Sequence, residues 1–195
     1  MTDPALEPGR YDADGYFALA ECGIISPDDR LELLDGLIVA MAAQSAPHAW
    51  AISRIEQLLR ERLGGSTLIR TQSTFRAGDR SVPEPDVSVL PGSNDDYVTR
   101  LPSQAHLLVE VADRSLVQDR LTKAALYARA SVPCYWVVNL RERCVEVFRK
   151  PDRWKSRYEE VATLAGDDSL TIDDFPGVTF RAADLLPPLP DDDEP

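Results

Sequence analysis

Histidine and cysteine are scarce in this chain of 195 residues, with two of the first (His48 and His106) and three of the second (Cys22, Cys134 and Cys144). Neither set has the short paired spacing of zinc ligands, which excludes the usual zinc sites. Three unpatterned cysteines are what a reduced, cytoplasmic protein carries, not a disulfide-stapled one. No run of eighteen apolar residues occurs, so no segment is expected to cross a membrane. Residues 1–10 (MTDPALEPGR) are acidic and lack an apolar stretch, so no secretory signal is expected. A G-x-S-x-G elbow, a Walker A loop and a dinucleotide glycine fingerprint are all missing, and no internal repeat is visible.

Positive charge is also in short supply, and the net charge of −12 weakly disfavours a polyanionic partner. Its distribution softens that inference. Residues 1–40 carry two basic and nine acidic side chains, and residues 161–195 carry one and nine. Residues 101–160 instead carry eleven basic against eight acidic. The acid excess therefore sits at the two ends, and the closing PPLPDDDEP reads as a solvated, disordered tail.

What is present is ample apolar sequence, 44% of the chain, enough for one domain with a real core. Residues 12–22 predict a short helix stopped by Gly23. RLELLDGLIVAM places two apolar runs around Asp35-Gly36, the pair that suits a two-residue type I′ turn, with Leu34 facing Leu37 and Glu32 facing Val39. Ile52, Ile55, Leu59 and Leu63 recur at helical spacing, predicting a helix from Pro47 to about Leu63. Strands are expected over STLIRTQSTFRAG, over residues 82–90 and over residues 106–112. Residues 117–130 predict a helix, and CYWVVNL, CVEVFRK and RYEEVATLAG predict further strands. LLVEVA and CYWVVNL are nearly continuous apolar runs, as in central strands covered on both faces. The order predicts a mixed α/β sheet with helices packed on it and an N-terminal β-hairpin.

Two of these strands each carry an acid among aliphatic residues: Asp86 in PEPDVSVL and Glu110 in HLLVEVAD. Alternation puts Asp86 on one face with Ser88 and Leu90, and Glu110 on one face with Leu108 and Ala112. A lone buried carboxylate is costly unless it is paired or binds a cation, and two on neighbouring strands suit a shared Mg²⁺. The alternative is that each sits at a strand end, facing solvent or an arginine. Lys123 follows Asp119 by four residues, the spacing of an exposed ion pair. Arg120, Lys123 and Tyr127 are expected on one helix face. Glu32 reads as an outward-facing hairpin residue, His48 as a boundary histidine or a phosphate neighbour, and Gln72 as unspecific. Trp50, Trp136 and Trp154 are expected to serve packing.

The segments RLELLDGLIVAM, APHAWAISRIEQLL, PEPDVSVL, LLVEVADRS and DRLTKAALYARASVPCYWVVNLRERCVEVFR, in this order and spacing, resemble the Uma-type family of restriction endonucleases within the PD-(D/E)XK nuclease superfamily. The resemblance covers about residues 10–180. It implies a restriction-endonuclease-like fold over residues 1–185, followed by the acidic tail 186–195. It further implies a Mg²⁺-dependent endonuclease (Mn²⁺ substituting) that hydrolyses DNA phosphodiester bonds. Pro85-Asp86 matches the motif's PD pair and Glu110 its second acid, with the Val111 carbonyl as a further metal ligand. The superfamily lysine stands two residues after that acid, where this chain has Ala112. Lys123, on the following helix, matches the position from which this family supplies its lysine. Glu32 matches an acid of the family's hairpin, as a metal ligand or base, and His48 and Gln72 are weaker substrate-binding matches. Cutting two strands takes two sites, which is compatible with a homodimer. A non-catalytic nucleic-acid-binding or interaction protein on the same fold is the alternative.

Overall fold

The computed structural model of the chain describes residues 10–26, 28–65 and 67–189. The expectations for residues 1–9 and for residues 190–195 of the acidic tail lie outside them. The architecture is a mixed α/β sheet flanked by helices, with an N-terminal hairpin. Six strands lie in the order β3(Leu68–Thr71), β4(Val87–Leu90), β5(Leu107–Ala112), β6(Cys134–Asn139), β7(Cys144–Asp152) and β8(Arg157–Ala165). Only β5 and β6 run parallel; the other neighbours are antiparallel. A helical crossover joins that parallel pair, as chain direction demands. Every residue of β5 and β6 is buried, which is why both read as unbroken apolar runs.

Alternation along the central strands supplies a core on each face. On one face α2(Ala46–Leu63) lays Ala51, Ile52, Ile55, Leu58 and Leu59 against Val87, Val109, Val111 and Trp136. On the other, α3(Ala124–Arg129) lays Ala124, Tyr127 and Ala128 against Leu108, Ala112, Tyr135 and Val137. Each large aliphatic side chain buried this way contributes ~1.5–3 kcal/mol. Ser45 caps α2 by accepting from the His48 N–H at 3.4 Å, and so fixes where His48 enters.

The hairpin β1(Leu31–Leu34)–β2(Leu37–Ala40) has the expected register, Leu34 opposite Leu37 and Glu32 opposite Val39. Its turn has φ of 51° at Asp35 and 84° at Gly36, the two positive values a type I′ turn requires. α1(Ala13–Glu21) is capped by Asp12 and packs through Ala13 on Leu33 and Val82. A bridge between Leu33 and Val82 ties the hairpin to the segment leading into β4.

Several expectations change. The strand expected over STLIRTQSTFRAG stops at Thr71, because Gln72 turns to φ 45°. The strand expected from residue 82 begins at Val87, since Pro83 and Pro85 have no N–H to give a ladder. The last thirty residues contribute β9(Ser169–Thr171) and β10(Thr179–Arg181), which the Pro- and Asp-rich composition hides; Leu170 and Phe180 enter the core there. Of the three tryptophans only Trp136 is buried, whereas Trp50 is 40% and Trp154 86% exposed.

Candidate metal-dependent active site

The ladder that sets Val87 against Val109 and Ser88 against Leu108 continues by one step to place Asp86 opposite Glu110. The prolines end the ladder there, and the Asp86 side chain takes over: its Oδ2 accepts the Val111 N–H at 2.8 Å. The Asp86 carbonyl accepts from the Gln72 N–H at 3.1 Å. His48 Nε2 lies 3.3 Å from the same Oδ2. Burial opposes a charge on His48, but the hydrogen bond and charge of Asp86 outweigh it and raise its pKa.

Lys123 is the cation at the centre. Its Nζ is 3.0 Å from Glu110 Oε1 and 3.3 Å from Glu32 Oε2, and all three side chains are almost completely buried. Burial disfavours its charge, yet Glu110, Glu32, Asp119 and Asp86 together hold its pKa above the usual lysine range. Tyr127 donates to the same Glu110 Oε1 at 2.7 Å. Burial and the neighbouring acids Asp119, Asp86 and Glu32 push the Glu110 carboxyl well up, against the pull of Lys123. Glu32 Oε2 also accepts the Glu84 N–H at 3.3 Å, which joins the hairpin to the PEPD segment.

The exposed Asp119–Lys123 ion pair expected from four-residue spacing does not form. Both residues are buried, and Lys123 pairs with Glu110 and Glu32 instead. The physical reason is local geometry. Residues Gln118–Lys123 form a widened π-turn leading into α3, so α-helical spacing does not apply to them. Arg120 therefore does not share a target with Lys123 and Tyr127; it grips Glu146 of β7 at 2.7 and 2.8 Å. Asp119 accepts from Ser115 Oγ at 2.6 Å, and burial raises its pKa to about 6.

These groups meet around a cavity of about 40 Å³. Five carboxylates line it (Glu32, Glu84, Asp86, Glu110 and Asp119) against two cations, Arg30 and Lys123, and His48. Of the expected site residues, Asp86, Glu110, Lys123, Glu32 and His48 converge there. Val111 sits behind Asp86. Gln72 touches Asp86 only through its backbone, and its side chain is exposed outside the cavity. Asp119, Tyr127 and Glu84 are additions. Glu84 had one signal, its position two residues before Asp86 in PEPD. Asp119 had none once the π-turn was hidden.

A hard divalent cation fits this set. All candidate ligands are oxygens, and acids outnumber cations. The hydrogen bonds to Asp86 and Glu110 fall on Oδ2 and Oε1, which leaves Asp86 Oδ1 and Glu110 Oε2 without partners among the described residues. Elsewhere among those residues, Glu142, Cys144 and Glu146 bring three ligand atoms within 4.8 Å of one another. The Arg120 guanidinium bonds both glutamates there and offsets one of their two charges.

One pH effect follows. The Asp119 carboxyl holds its proton more tightly in the folded chain than in the unfolded one. Its cost is therefore absent below about pH 4 and grows as pH rises to about 6. Asp119→Asn is expected to stabilise the protein by on the order of 3 kcal/mol above pH 6 in EDTA, and by nothing near pH 4. Urea titrations at the two pH values check this.

The family profile of Uma2, described as "Putative restriction endonuclease", matches residues 13–184. The chain belongs to the Uma2 family. No curated protein matches it. Among solved structures it is similar to a chain from Anabaena variabilis ATCC 29413, described as a putative nuclease belonging to DUF820. That likeness has a TM-score of 0.72 at 16% identity and covers 90% of this chain and 97% of the other, which shows a shared fold. In this Uma2 chain the residue two after Glu110 is Ala112. Ala112 is buried in the apolar cluster with Ala124 and Tyr127, where an ammonium would be stranded. The widened turn brings the Lys123 ammonium to Glu110 from the helix side.

Proposed function

We propose that the protein is a Mg²⁺-dependent endonuclease that hydrolyses phosphodiester bonds in DNA. The observation that carries this is the convergence of Asp86, Glu110 and Lys123 on one cavity, with an oxygen of each carboxylate left unpartnered. Asp86, Glu110 and the Val111 carbonyl are the residues that would hold the ion. When bound, Mg²⁺ (or Mn²⁺) polarises a phosphoryl oxygen and lowers the pKa of a coordinated water.

The chain's own groups supply the rest. Lys123 stays charged, orients the attacking water and offsets charge that builds on the phosphate. Glu32 anchors Lys123 and completes the shell or accepts the water's proton. His48 holds Asp86 in place and, once protonated, adds positive charge beside the phosphate. Tyr127 pins Glu110 through Oε1 and so presents Oε2 to the cavity as a ligand. Such outer-shell bonds are worth about 10–100-fold in metal affinity. Tyr127→Phe is accordingly expected to weaken Mn²⁺ binding at least about tenfold, measured by electron paramagnetic resonance titration, with the fold retained.

One observation favours a non-catalytic nucleic-acid-binding protein instead: Ala112 stands where the superfamily lysine is expected. Incubation of the protein with plasmid and single-stranded DNA in EDTA, Mg²⁺ and Mn²⁺ decides between them. Cleavage that requires either ion supports the endonuclease. Binding without cleavage in every condition supports the alternative.

A further inference from the structure

A second hollow, of about 250 Å³, opens beside the carboxylate cavity. The two share Arg30, Met41 and Glu84 as a common wall. Its far walls differ in kind from the acidic site. Tyr16 and Phe17 of α1 line it, with Ile25 and Leu31 adding aliphatic surface. The rings of Tyr16 and Phe17 meet edge to face, 5.6 Å between centroids and 67° between planes. The Tyr16 hydroxyl is tied to the Leu31 carbonyl at 2.9 Å, which fixes that ring in the wall. Both rings are only partly buried. Polar groups gather at one end, where Thr74 Oγ1 lies 3.5 Å from Glu84 Oε1. Arg30 makes no ion pair among the described residues and is exposed at the junction of the two cavities.

We infer that this hollow receives one nucleobase of the substrate, unstacked from its neighbours, next to the phosphate that is cut. The inference rests on the endonuclease proposal and adds to it a base-holding subsite. Its size suits one heterocycle, because pockets for whole drug-sized ligands begin near ~300 Å³. An aromatic and aliphatic wall with a polar end matches a base, which has an apolar face and a hydrogen-bonding edge. A guanidinium at the junction suits the phosphate that joins base site and cutting site. Taking a base out of the stack costs a few kcal/mol in a duplex and least in single strands. The subsite therefore favours substrates with an unpaired or easily opened nucleotide at the cut.

Neutral probes test this without help from catalysis. A 2′-deoxynucleoside and free 2-deoxyribose differ by the base alone, and the acidic cavity repels neither. In ligand-observed NMR with the full chain, the nucleoside is expected to bind at least about tenfold more tightly than the sugar. It should also shift the ring signals of Tyr16 and Phe17. Phe17→Leu keeps an apolar side chain in the packing of α1 but removes the ring, and should erase most of the difference. Thr74→Val, at the polar end, should alter the preference among the four nucleosides without abolishing binding. Melting curves confirm that both variants fold. Equal binding of nucleoside and sugar, or no effect of Phe17→Leu, overturns the subsite, whether or not the protein cuts DNA. If no DNA is cut but the nucleosides bind as described, the endonuclease proposal fails and the base pocket stands as a binding site.

Discussion

Asp86→Asn is expected to reduce metal-dependent DNA cleavage by at least ~10³-fold, on the order of 4 kcal/mol of transition-state stabilisation. The amide keeps an oxygen that can accept the Val111 N–H, now 2.8 Å from Oδ2, so the backbone arrangement should survive. What it loses is a negative ligand. One of the cavity's five carboxylates would become neutral, and the His48 contact would lose its charge. The cavity would still hold Glu110, but a hard cation that sheds water reluctantly would lose its negative ligand on the neighbouring strand. Cleavage rates at saturating Mg²⁺, with circular dichroism to confirm the fold, check this. A variant that cuts as fast as the unaltered protein would remove Asp86 from the chemistry.

Lys123→Met is expected to have the largest effect on stability, a loss of about 3–5 kcal/mol in EDTA at pH 8. Methionine fills much of the same volume, so the loss is electrostatic. It leaves Glu110 and Glu32 facing each other with no ammonium between them. The sign with pH is fixed by Glu110. Without Lys123 its folded carboxyl is pushed further above the unfolded value by burial, so the folded variant binds more protons than its unfolded chain. Its stability then rises as pH falls through that window, and the deficit against the unaltered protein narrows toward pH 5. Thermal melting at pH 5 and pH 8 measures both values. A constant deficit would show that lost packing, not stranded charge, is the cause. Cleavage should fall at least ~10²-fold in the same variant.

How much of this was visible beforehand depended on whether a residue acts through local spacing or through distant partners. The hairpin was legible to the register, because Asp35-Gly36 dictates both turn type and pairing. The central strands were legible because burial on both faces leaves unbroken apolar runs. Asp86 and Glu110 stood out by contrast with their aliphatic neighbours, and alternation assigned each to one face of its own strand, while their register came only with the fold. Lys123 and Tyr127 were expected on one helix face and both reach Glu110 Oε1, but Asp119 read only as an exposed partner of Lys123. Its burial comes with a π-turn, whose extra residue per turn leaves no mark in side-chain periodicity. Glu84 drew no reading of its own within the strand expected over residues 82–90; the bridge of Val82 to Leu33 brings the hairpin to it. Trp50 and Trp154 show the converse failure, since hydrophobic character alone does not decide burial.

The central claim is that two strand carboxylates and a helix lysine form one metal centre. Crystals soaked in Mn²⁺ and measured at the manganese absorption edge test it most directly. The account predicts one anomalous peak within about 2.1 Å of Asp86 Oδ1 and Glu110 Oε2. It also predicts no peak at the cluster of Glu142, Cys144 and Glu146, where the Arg120 guanidinium already occupies both glutamates. An empty cavity between β4 and β5 at saturating Mn²⁺, with Lys123 still locked on Glu110, would contradict it.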